Sequence, residues 1–398
     1  MTNFPLILLL EINRSKLIFS VIKNNEQNDF NTIYTSEAQS KGIENSRISD
    51  YDKVFNIIKE NIFKIEKRFN YTFKNVVLIL DDFDFTFVNL SGYKKLNGSQ
   101  MLRENIIYIL NTLKSYVVQN ETKKNIIHIF NSKYCLDGKE IENLPIGLFG
   151  EFYSHELSFI LLNKNDYKNL EKILEKCNLK ITKTILKSFI EGTCTIERND
   201  NLETFFQIQI NKNSSNIFYF ENCSLKYEQK FNFGSEIVIN DIEKVTSIKR
   251  ETINRFLKKT SFKKDFGDDD LIEEEFFNSE NFRKIKKKLI YEIARMRIKE
   301  ISEILLTHNV NILNYLNNTK VNFLNFGDKS QCEPFKDLYL SNFALSNKIQ
   351  TKEIEKIPNE FFNQKTGRIV HFGWNKEAIP VTKQRKSLLA RLFDTIFS

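Results

Sequence analysis

Residues 125–163 read NIIHIFNSKYCLDGKEIENLPIGLFGEFYSHELSFILLN. The two ends of this stretch, Asn125–Phe130 and Tyr153–Asn163, are rich in apolar residues and predict buried strands. Turn-forming residues fill Leu136–Pro145 between them. Helical periodicity flanks the stretch at Met101–Gln119 and Asn165–Cys177. Two helices among strands predict a small α/β unit with a core of its own.

The chain begins with a predicted strand hairpin. Leu6–Ile12 is a nearly continuous apolar run, Asn13-Arg14-Ser15 supplies a turn, and Lys16–Ile22 is a second apolar run. Such strands suit the interior of a sheet that is covered on both faces. The segments predicted next are a helix at Tyr51–Phe69 and strands at Asn75–Leu80 and Phe85–Leu90.

A second strand cluster follows the α/β unit, and helices follow it. The predicted strands are Thr204–Ile210, Ile217–Phe220, Ser224–Phe231 and Asn322–Phe326. The predicted helices are Ser235–Lys258, Asn281–His308 and Pro334–Phe343, and the segment Phe361–Phe372 follows them. The acidic runs Asp268–Asp270 and Glu273–Glu275 fit either a cation site or a solvated loop at the start of a helix.

Composition limits the function classes. The 398 residues are enough for two or more domains, and the net charge of +8 is spread along the chain without a reader motif for nucleic acid. Five cysteines lack CxxC spacing and four histidines lack ligand spacing, so we expect a reducing compartment and no metal site. No stretch has the length of a membrane span, so we expect any membrane contact to be peripheral and cytoplasmic.

This order of elements resembles the actin and sugar-kinase superfamily (ASKHA). Residues 125–163, especially Pro145–Gly150 (PIGLFG), resemble the inserted subdomain of the bacterial cell-division FtsA family. Shorter matches in the same order are Leu10–Ile12, Glu175–Lys180, Gly234 with Asp241-Ile242, Ile293–Ile304, and Gly367, His371 and Gly373. The resemblance implies an α/β, actin-like two-lobe fold with an FtsA-type inserted subdomain and a C-terminal amphipathic helix.

The family's subdomain boundaries carry over as expectations. Residues 1–85, 182–202 and 351–375 would form the first-lobe core, 86–181 the inserted subdomain, 203–242 and 309–350 the second-lobe core, 243–308 the outer subdomain, 376–382 a linker and 383–398 the amphipathic helix. Members of the family bind ATP, assemble head to tail into actin-like filaments, and tether FtsZ polymers to the membrane through the FtsZ C-terminal peptide. The resemblance therefore implies a peripheral protein of the inner membrane at the division septum, which also meets downstream divisome proteins.

The phosphate loops depart from the family pattern. Such loops need glycines because backbone N–H groups approach the phosphates closely. The first loop, Glu-Ile-Gly-Thr in the family, is Glu11-Ile12-Asn13-Arg14 here. The second, Asp-Ile-Gly-Gly-Gly-Thr-x-Asp in the family, reads Gln209-Ile210-Asn211-Lys212-Asn213-Ser214-Ser215-Asn216. The adenine-side loop keeps only Gly327.

Two interpretations of these loops stay open. Arg14 and Lys212 would bring cations to an altered nucleotide site, or they would fill a vacated cleft that holds no nucleotide. Phosphoryl hydrolysis needs a held metal ion and a positioned water, and the usual carboxylates are missing. We therefore expect no catalytic residues and no hydrolysis, and the missing residues argue against ATP and Mg²⁺ as cofactors. The degenerate site would comprise Glu11, Asn13, Arg14, Gln209, Asn211, Lys212, Asn213, Ser214 and Gly327.

The outer subdomain carries a candidate partner site. A receptor for an acidic and apolar peptide such as the FtsZ tail needs cations beside a hydrophobic groove. Cations lie along the predicted helix Asn281–His308, at Lys287, Lys288, Arg295, Arg297 and Lys299. The alternative is a solvated helix face without a partner.

The last sixteen residues, KQRKSLLARLFDTIFS at 383–398, predict an amphipathic helix. Its apolar half comprises Leu388, Leu389, Leu392, Phe393, Ile396 and Phe397, with Arg385 and Lys386 at its start. A helix this short is marginal alone in water and needs a surface on which to fold. That surface is either the protein's own core or an anionic membrane, and the FtsA resemblance favours the membrane.

Three functions remain as hypotheses. The first is a non-hydrolysing adaptor that holds FtsZ at the membrane. The second is an active ATPase of the same fold. The third is a pilus-assembly adaptor that shares the inserted subdomain but recruits a short inner-membrane peptide. The predicted lipid-binding tail counts against the third hypothesis.

Overall fold

A computed structural model describes residues 6–25, 29–44, 46–259, 266–267, 269–278, 280–327, 332–344 and 349–378. The chain forms two compact α/β units. The first contains the chain up to Thr193 together with the part from Asn359 onward, and the second contains Cys194–Pro358. Among the described residues, no helix combines the length and the apolarity that are needed to cross a bilayer.

The first unit is built on a five-stranded sheet. Its strands are β1 (Leu6–Ile12), β2 (Lys16–Asn24), β3 (Phe30–Gln39), β6 (Asn75–Leu80) and β11 (Lys180–Leu186), in the order β11-β6-β1-β2-β3. The predicted N-terminal hairpin is confirmed, and β2 is two residues longer than predicted. The strands β1, β6 and β11 are parallel, so their carboxyl ends lie at one edge of the sheet. The short strands β4 (Ile43–Glu44) and β5 (Arg47–Ile48) pair separately.

Helices cover this sheet. They are α1 (Tyr51–Phe69), α3 (Lys164–Lys176), α4 (Lys187–Glu197), which crosses into the second unit, and α10 (Asn359–Phe372). Asp50 caps α1 by accepting a hydrogen bond from the Lys53 N–H, and Asn70 ends it in the left-handed conformation. The apolar faces of α1 and α3 share one buried core with β1 and β6. Helix α10 packs against β3 at Gly367. A Cβ atom at this position would lie 2.5 Å from the Phe30 ring, so only glycine lets the helix come this close to the strand.

The inserted part of the first unit is a second sheet, in the order β7-β10-β8-β9. It contains β7 (Phe85–Lys95), β8 (Lys124–Leu136), β9 (Lys139–Ile141) and β10 (Phe152–Asn163), with α2 (Arg103–Asn120) packed on one face. The predicted strand Asn125–Phe130 ended too early, because β8 continues opposite β10 through two register shifts. Both β7 and β8 pair antiparallel with β10.

The second unit has a sheet in the order β14-β13-β12-β15-β16. Its strands are β12 (Phe205–Ile210), β13 (Ser215–Glu221), β14 (Ser224–Phe231), β15 (Val321–Phe326) and β16 (Gln350–Glu353). Its helices are α5 (Glu236–Thr246), α6 (Arg250–Lys259), α7 (Lys287–Ser302), α8 (Leu313–Leu316) and α9 (Lys336–Phe343).

Two predicted helix lengths in this unit were wrong. The predicted helix Ser235–Lys258 is broken because Ser247 adopts the left-handed conformation and its N–H bonds to the Glu243 carbonyl. The second long helix begins only at Lys287, since the residues before it form a bridge between Leu271 and Lys286. After Ser302 the chain continues as a π-helical turn over Glu303–Thr307.

Candidate functional site

The β1–β2 loop is closed by the side chain of Asn13. Its Oδ1 accepts hydrogen bonds from the backbone N–H of Ser15 (3.0 Å) and of Lys16 (2.8 Å) and from the Ser15 hydroxyl (3.0 Å). The Asn13 N–H donates to the Lys16 carbonyl at 3.2 Å. The N–H groups of Asn13, Ser15 and Lys16 are therefore engaged in an asparagine-centred turn.

The other predicted residues of the first loop also have partners within the first unit. Asn13 Nδ2 donates to Glu11 Oε1 at 3.3 Å. Arg14 is exposed, and its guanidinium donates to the hydroxyl of Ser46 at 3.3 Å. The structure thus brings Glu11 and Asn13 together, whereas Arg14 reaches the turn between β4 and β5.

A lysine that sequence reasoning missed lies at the carboxyl ends of the parallel strands. Lys187 follows β11 directly, and its Nζ is 2.9 Å from Glu11 Oε1 at the end of β1 and 3.1 Å from Asp81 Oδ2 just after β6. Burial opposes the charged form, but Asp81 and Glu11 together raise the pKa of Lys187 well above its ordinary value. A fixed ammonium group therefore bridges two carboxylates at this edge of the sheet and offsets part of their charge.

The β12–β13 loop of the second unit is likewise bonded internally. The Asn211 N–H donates to the Ser214 carbonyl at 2.9 Å, and Asn211 Nδ2 lies 3.3 Å from the Ser214 hydroxyl. The N–H groups of Ser235 and Glu236, at the start of α5, donate to the carbonyls of Asn211 and Lys212, both at 2.9 Å. A helix N-terminus is a natural anion site, but here the loop carbonyls occupy these two donors.

The remaining residues of the predicted second loop lie around this turn. Gln209 is half-buried on β12, while Lys212 and Asn213 are exposed. Lys212 Nζ lies 3.9 Å from Glu236. Gly327 bonds through its N–H to the Ile210 carbonyl at 2.9 Å and lies under the Asn211 side chain.

A groove of about 630 Å³ lies between α5 and α7 in the second unit. Its apolar surface comes from Val245, Ile293 and Met296, of which Val245 and Met296 are more than half exposed. The charged residues that line it are Asp241, Glu292, Arg297, Lys299, Glu300 and Glu303. Four carboxylates thus face two cations around an apolar centre.

Most of the cations predicted for partner binding form ion pairs along α7. Arg295 pairs with Glu292 at 2.7 Å, Arg297 with both Asp241 and Glu300, and Lys299 with Glu303 at 3.7 Å. Lys287, at the start of the helix, pairs with Glu273, and Lys288 is exposed beside it. The structure therefore places Arg297 and Lys299 at the groove, and Arg295 within the same helix.

The acidic runs are distributed over several contacts. Besides the pair between Glu273 and Lys287, Asp270 accepts a hydrogen bond from the Gly267 N–H at 2.9 Å. Within the described residues, no three acidic, histidine or cysteine side chains gather as metal ligands.

A larger cavity, of about 1020 Å³, lies in the first unit between β8 and β11. Its walls include Asn125–Ile127 of β8 and Ile181–Thr184 of β11. Among the described residues, neither segment pairs with a strand on the side that faces the cavity. On that side β8 forms pairs only after His128, and β11 is the edge strand of its sheet. The cavity is thus bordered by two open strand edges.

Residues 374–378, which we call the strap, close one side of this cavity. After Gly373 the chain turns back from α10, and the Asn131 N–H donates to the Lys376 carbonyl at 2.7 Å while the Ala378 N–H donates to the Ile129 carbonyl at 2.8 Å. Glu377 lies 2.7 Å from His128 Nδ1 and 2.7 Å from Lys183 Nζ. Burial opposes its ionisation, yet these two partners lower the pKa of Glu377 to about 2.

One end of the inserted sheet exposes several large apolar side chains. Phe149 is 71% exposed and Tyr93 is 66% exposed, and Tyr93 stacks on Phe152 at 5.5 Å between ring centroids. The loop that carries Phe149 is held against the start of α2 by a hydrogen bond from the Met101 N–H to the Leu148 carbonyl. We call this surface the apolar patch; its residues are Tyr93, Leu102, Leu144, Ile146, Leu148, Phe149 and Phe152.

The predicted membrane-binding residues lie outside the described residues. They are Arg385, Lys386, Leu388, Leu389, Leu392, Phe393, Ile396 and Phe397. Sequence reasoning missed Lys187 and Glu377, and of these two only Lys187 carried a weak signal. Lys187 directly follows a β-branched run, and the carboxyl end of a parallel strand is where functional side chains gather.

Comparisons with known proteins match this architecture. The chain is 24% identical over 240 residues to the cell division protein FtsA of Buchnera aphidicola from Schizaphis graminum, and 20% identical over 241 residues to that of Escherichia coli K12. These alignments cover 60% and 61% of this chain and 57% of each relative. A chain of the PilM–PilN type IV pilus biogenesis complex superposes with a TM-score of 0.54 at 10% identity, over 92% of this chain and 96% of that chain.

No family model matches the chain. The resemblance to FtsA and the actin-like fold class are nevertheless confirmed by the curated relatives and by the superposition. The chain is thus similar to FtsA proteins, and the alignments span less than two thirds of the length of these relatives.

Proposed function

We propose that this chain is a cell-division adaptor that holds FtsZ polymers at the cytoplasmic face of the plasma membrane and assembles into actin-like filaments at the septum. The observation that carries the proposal is the similarity to FtsA proteins over about 240 residues, together with a two-unit α/β architecture. Each contact would be weak alone, and polymerisation would multiply it through effective concentration.

The membrane contact would be the C-terminal helix 383–398. Six apolar residues would enter the acyl boundary, and Arg385 and Lys386 would reach the headgroups. Removing the residues after Thr382 should abolish co-sedimentation with anionic vesicles and leave the protein folded. Undiminished vesicle binding by this truncated chain would refute the assignment.

The FtsZ contact would be the groove between α5 and α7. Its apolar centre suits the apolar residues of a peptide, and its mixed charged border of Arg297, Lys299 and four carboxylates would orient the peptide. Met296→Asp should weaken binding of the FtsZ C-terminal peptide about tenfold or more, because it places a charge on the apolar centre. Lys258→Asp, on the last turn of α6, is the control.

Assembly would use the apolar patch of the inserted subdomain. Exposed apolar surface of this kind marks an interaction site more often than an ordinary solvated face. Because the patch lies at one end of the inserted sheet, it suits head-to-tail contact with a second copy.

Nucleotide would have no catalytic part in this function. The N–H groups of Asn13, Ser15 and Lys16 in the first loop and of Asn211, Ser235 and Glu236 around the second bond to acceptors within their own unit, and Lys187 holds Glu11 and Asp81. We therefore propose the interpretation in which the loops are filled. Calorimetry with Mg-ATP tests it, since tight binding with phosphate release would instead favour the ATPase hypothesis.

The cavity between β8 and β11 favours a second recruiting role. Two open strand edges suit an extended peptide that adds a strand, and the superposed neighbour is named for a complex with another pilus protein. Here the peptide would belong to a downstream division protein. If the FtsZ peptide fails to bind at high micromolar concentration, the pilus-type adaptor becomes the better assignment.

A further inference from the structure

The strap is fixed at both its backbone and its side chains. Besides the two backbone hydrogen bonds to β8, Trp374 packs edge-on against Phe189 with 6.3 Å between ring centroids, and Ala378 is buried in the core of the inserted sheet. Glu377 is only 13% exposed in its side chain. Trp374 is therefore packed on α4, and Lys376, Glu377 and Ala378 are anchored to the inserted sheet.

The hydrogen bond between His128 and Glu377 fixes the tautomer of the His128 imidazole. His128 Nε2 accepts a hydrogen bond from the Leu186 N–H at 3.3 Å, so Nδ1 carries the proton and donates to Glu377 at 2.7 Å. The His128 ring is fully buried and stacks on Phe130 at 5.4 Å. Lys183 reaches the second carboxylate oxygen from β11. One carboxylate of the strap thus joins both sheets of the first unit.

We propose that the strap fixes the base of the C-terminal membrane helix to the inserted subdomain and so determines which face of the first unit lies against the bilayer, with Glu377 as the positioning residue. This inference rests on the membrane contact proposed above for residues 383–398. The partner surface is an anionic lipid membrane, and the face turned toward it is the start of β8 beside the strap.

The strap matters for orientation because it shortens the tether between the first unit and residue 383. From Ala378 to Lys383 an extended chain spans at most about 18 Å. Without the strap, the free tether would start at Phe372, and the same estimate gives roughly 40 Å. A tether of more than twice the length would let the first unit tumble over the membrane surface, whereas the strap holds one face near it. A fixed face is useful for an adaptor because its partner sites then keep a constant orientation.

Charge at this face suits an anionic surface. Lys123 precedes β8 and is exposed, and its carbonyl accepts a hydrogen bond from the N–H of Lys164 at 2.9 Å. The Lys164 ammonium donates to the Thr122 carbonyl at 2.6 Å, so its charge also lies beside the start of β8. Lysine side chains near an anionic membrane are attracted to its headgroups. Phe372, which is 60% exposed at the end of α10, lies on the cavity lining next to the strap.

Hydrogen exchange of the full chain tests the inference, with and without vesicles of equal parts phosphatidylglycerol and phosphatidylcholine. In the wild type we expect slow exchange at Asn131 and Ala378, whose N–H groups bond across the strap. Glu377→Ala should speed exchange at both by about tenfold or more. Lys183→Met removes only one partner of Glu377 and should speed exchange at the same two positions by a smaller factor. Glu360→Ala, at the exposed start of α10, is the matched control and should change neither.

Adding vesicles distinguishes the orienting role of the strap from membrane binding by residues 383–398. Wild-type protein should gain protection over residues 123–128 when vesicles are added, whereas Glu377→Ala should sediment with vesicles equally but gain no such protection. The inference is overturned if Asn131 and Ala378 exchange as fast as exposed loops, or if both proteins gain equal protection. If wild type keeps a protected strap yet fails to sediment with vesicles, the membrane proposal fails and the strap has no orienting role.

Discussion

A Cβ atom on Gly327 would lie 1.9 Å from Oδ1 of Asn211. The Asn211 side chain therefore lies directly on the Gly327 backbone, at the ends of the neighbouring parallel strands β12 and β15. This glycine is the one that the adenine-side loop retains, and in this structure it makes room for an amide side chain of the same unit. Its retention is thus explained by packing within the second unit.

Gly327→Ala should destabilise the second unit by about 0.5–1.5 kcal/mol, because the Asn211 amide must rotate away from the new methyl group and lose its hydrogen bond with Ser214. Urea unfolding followed by far-ultraviolet circular dichroism measures the change. The double variant Asn211→Ala with Gly327→Ala removes the clash and should recover most of the loss, which is the coupling expected for residues in contact. A single variant as stable as wild type would contradict the packing described.

Lys187→Met should destabilise the first unit by about 2 kcal/mol, because Glu11 and Asp81 would face each other without their shared counter-charge. The loss of stability is smaller than for a fully buried ion pair because the Lys187 side chain is 27% exposed. The fluorescence of Trp374, the one tryptophan of the chain, follows unfolding of this unit in urea. Lys64→Met, on the exposed face of α1, is the control and should stay within about 0.5 kcal/mol of wild type. Equal stability of the two variants would argue against the bridging role.

His155 predicts a pH dependence of stability. It is 1% exposed between Tyr134 and Tyr153, and within the described residues neither ring nitrogen has a hydrogen-bond partner. Burial lowers the pKa of His155 to about 4. Between pH 6.5 and pH 4 the unfolded chain therefore binds a proton that the folded chain does not, so stability falls as the pH falls through this window, by at most roughly 3 kcal/mol.

His155→Phe should flatten this part of the stability profile, because the variant has no imidazole to protonate on unfolding. Urea titrations of the first unit at a series of pH values between 4 and 7, read by Trp374 fluorescence, measure it. His308→Gln, at an exposed position of the second unit, should leave the profile unchanged. A wild-type profile that is already flat over this window would show that His155 is solvated or paired.

Periodicity was sufficient for most elements of the fold. The runs Leu6–Ile12 and Tyr51–Phe69 match β1 and α1 residue for residue, since continuous apolar strands and an amphipathic helix with an Asp cap leave few alternatives. Periodicity failed at Ser247, where the apolar pattern continues from α5 into α6 although the backbone turns. A left-handed serine is chosen by tertiary packing and leaves no mark on the hydrophobic pattern.

The candidate sites were less predictable because they depend on long-range contacts. The loop departures at Asn13 and Asn211 could be read from the sequence, but the partners that occupy their hydrogen bonds could not. Glu377 is 249 residues from His128, and only the folded topology brings the strap to β8. The apolar patch was hidden for the same reason, since Phe149 and Tyr93 look like core residues until the sheet order is known.

Phe149→Asp should weaken self-association. Burying a phenylalanine side chain in an interface contributes about 1.5–3 kcal/mol, so the concentration at which filaments form should rise roughly tenfold to a hundredfold. The monomer should be as stable as wild type, because Phe149 is 71% exposed. Phe63→Asp is a matched control, since Phe63 is 66% exposed on α1, outside the inserted subdomain. Pelleting on anionic vesicles over a range of protein concentrations measures both, and equal assembly by the two variants would exclude the apolar patch as the polymer contact.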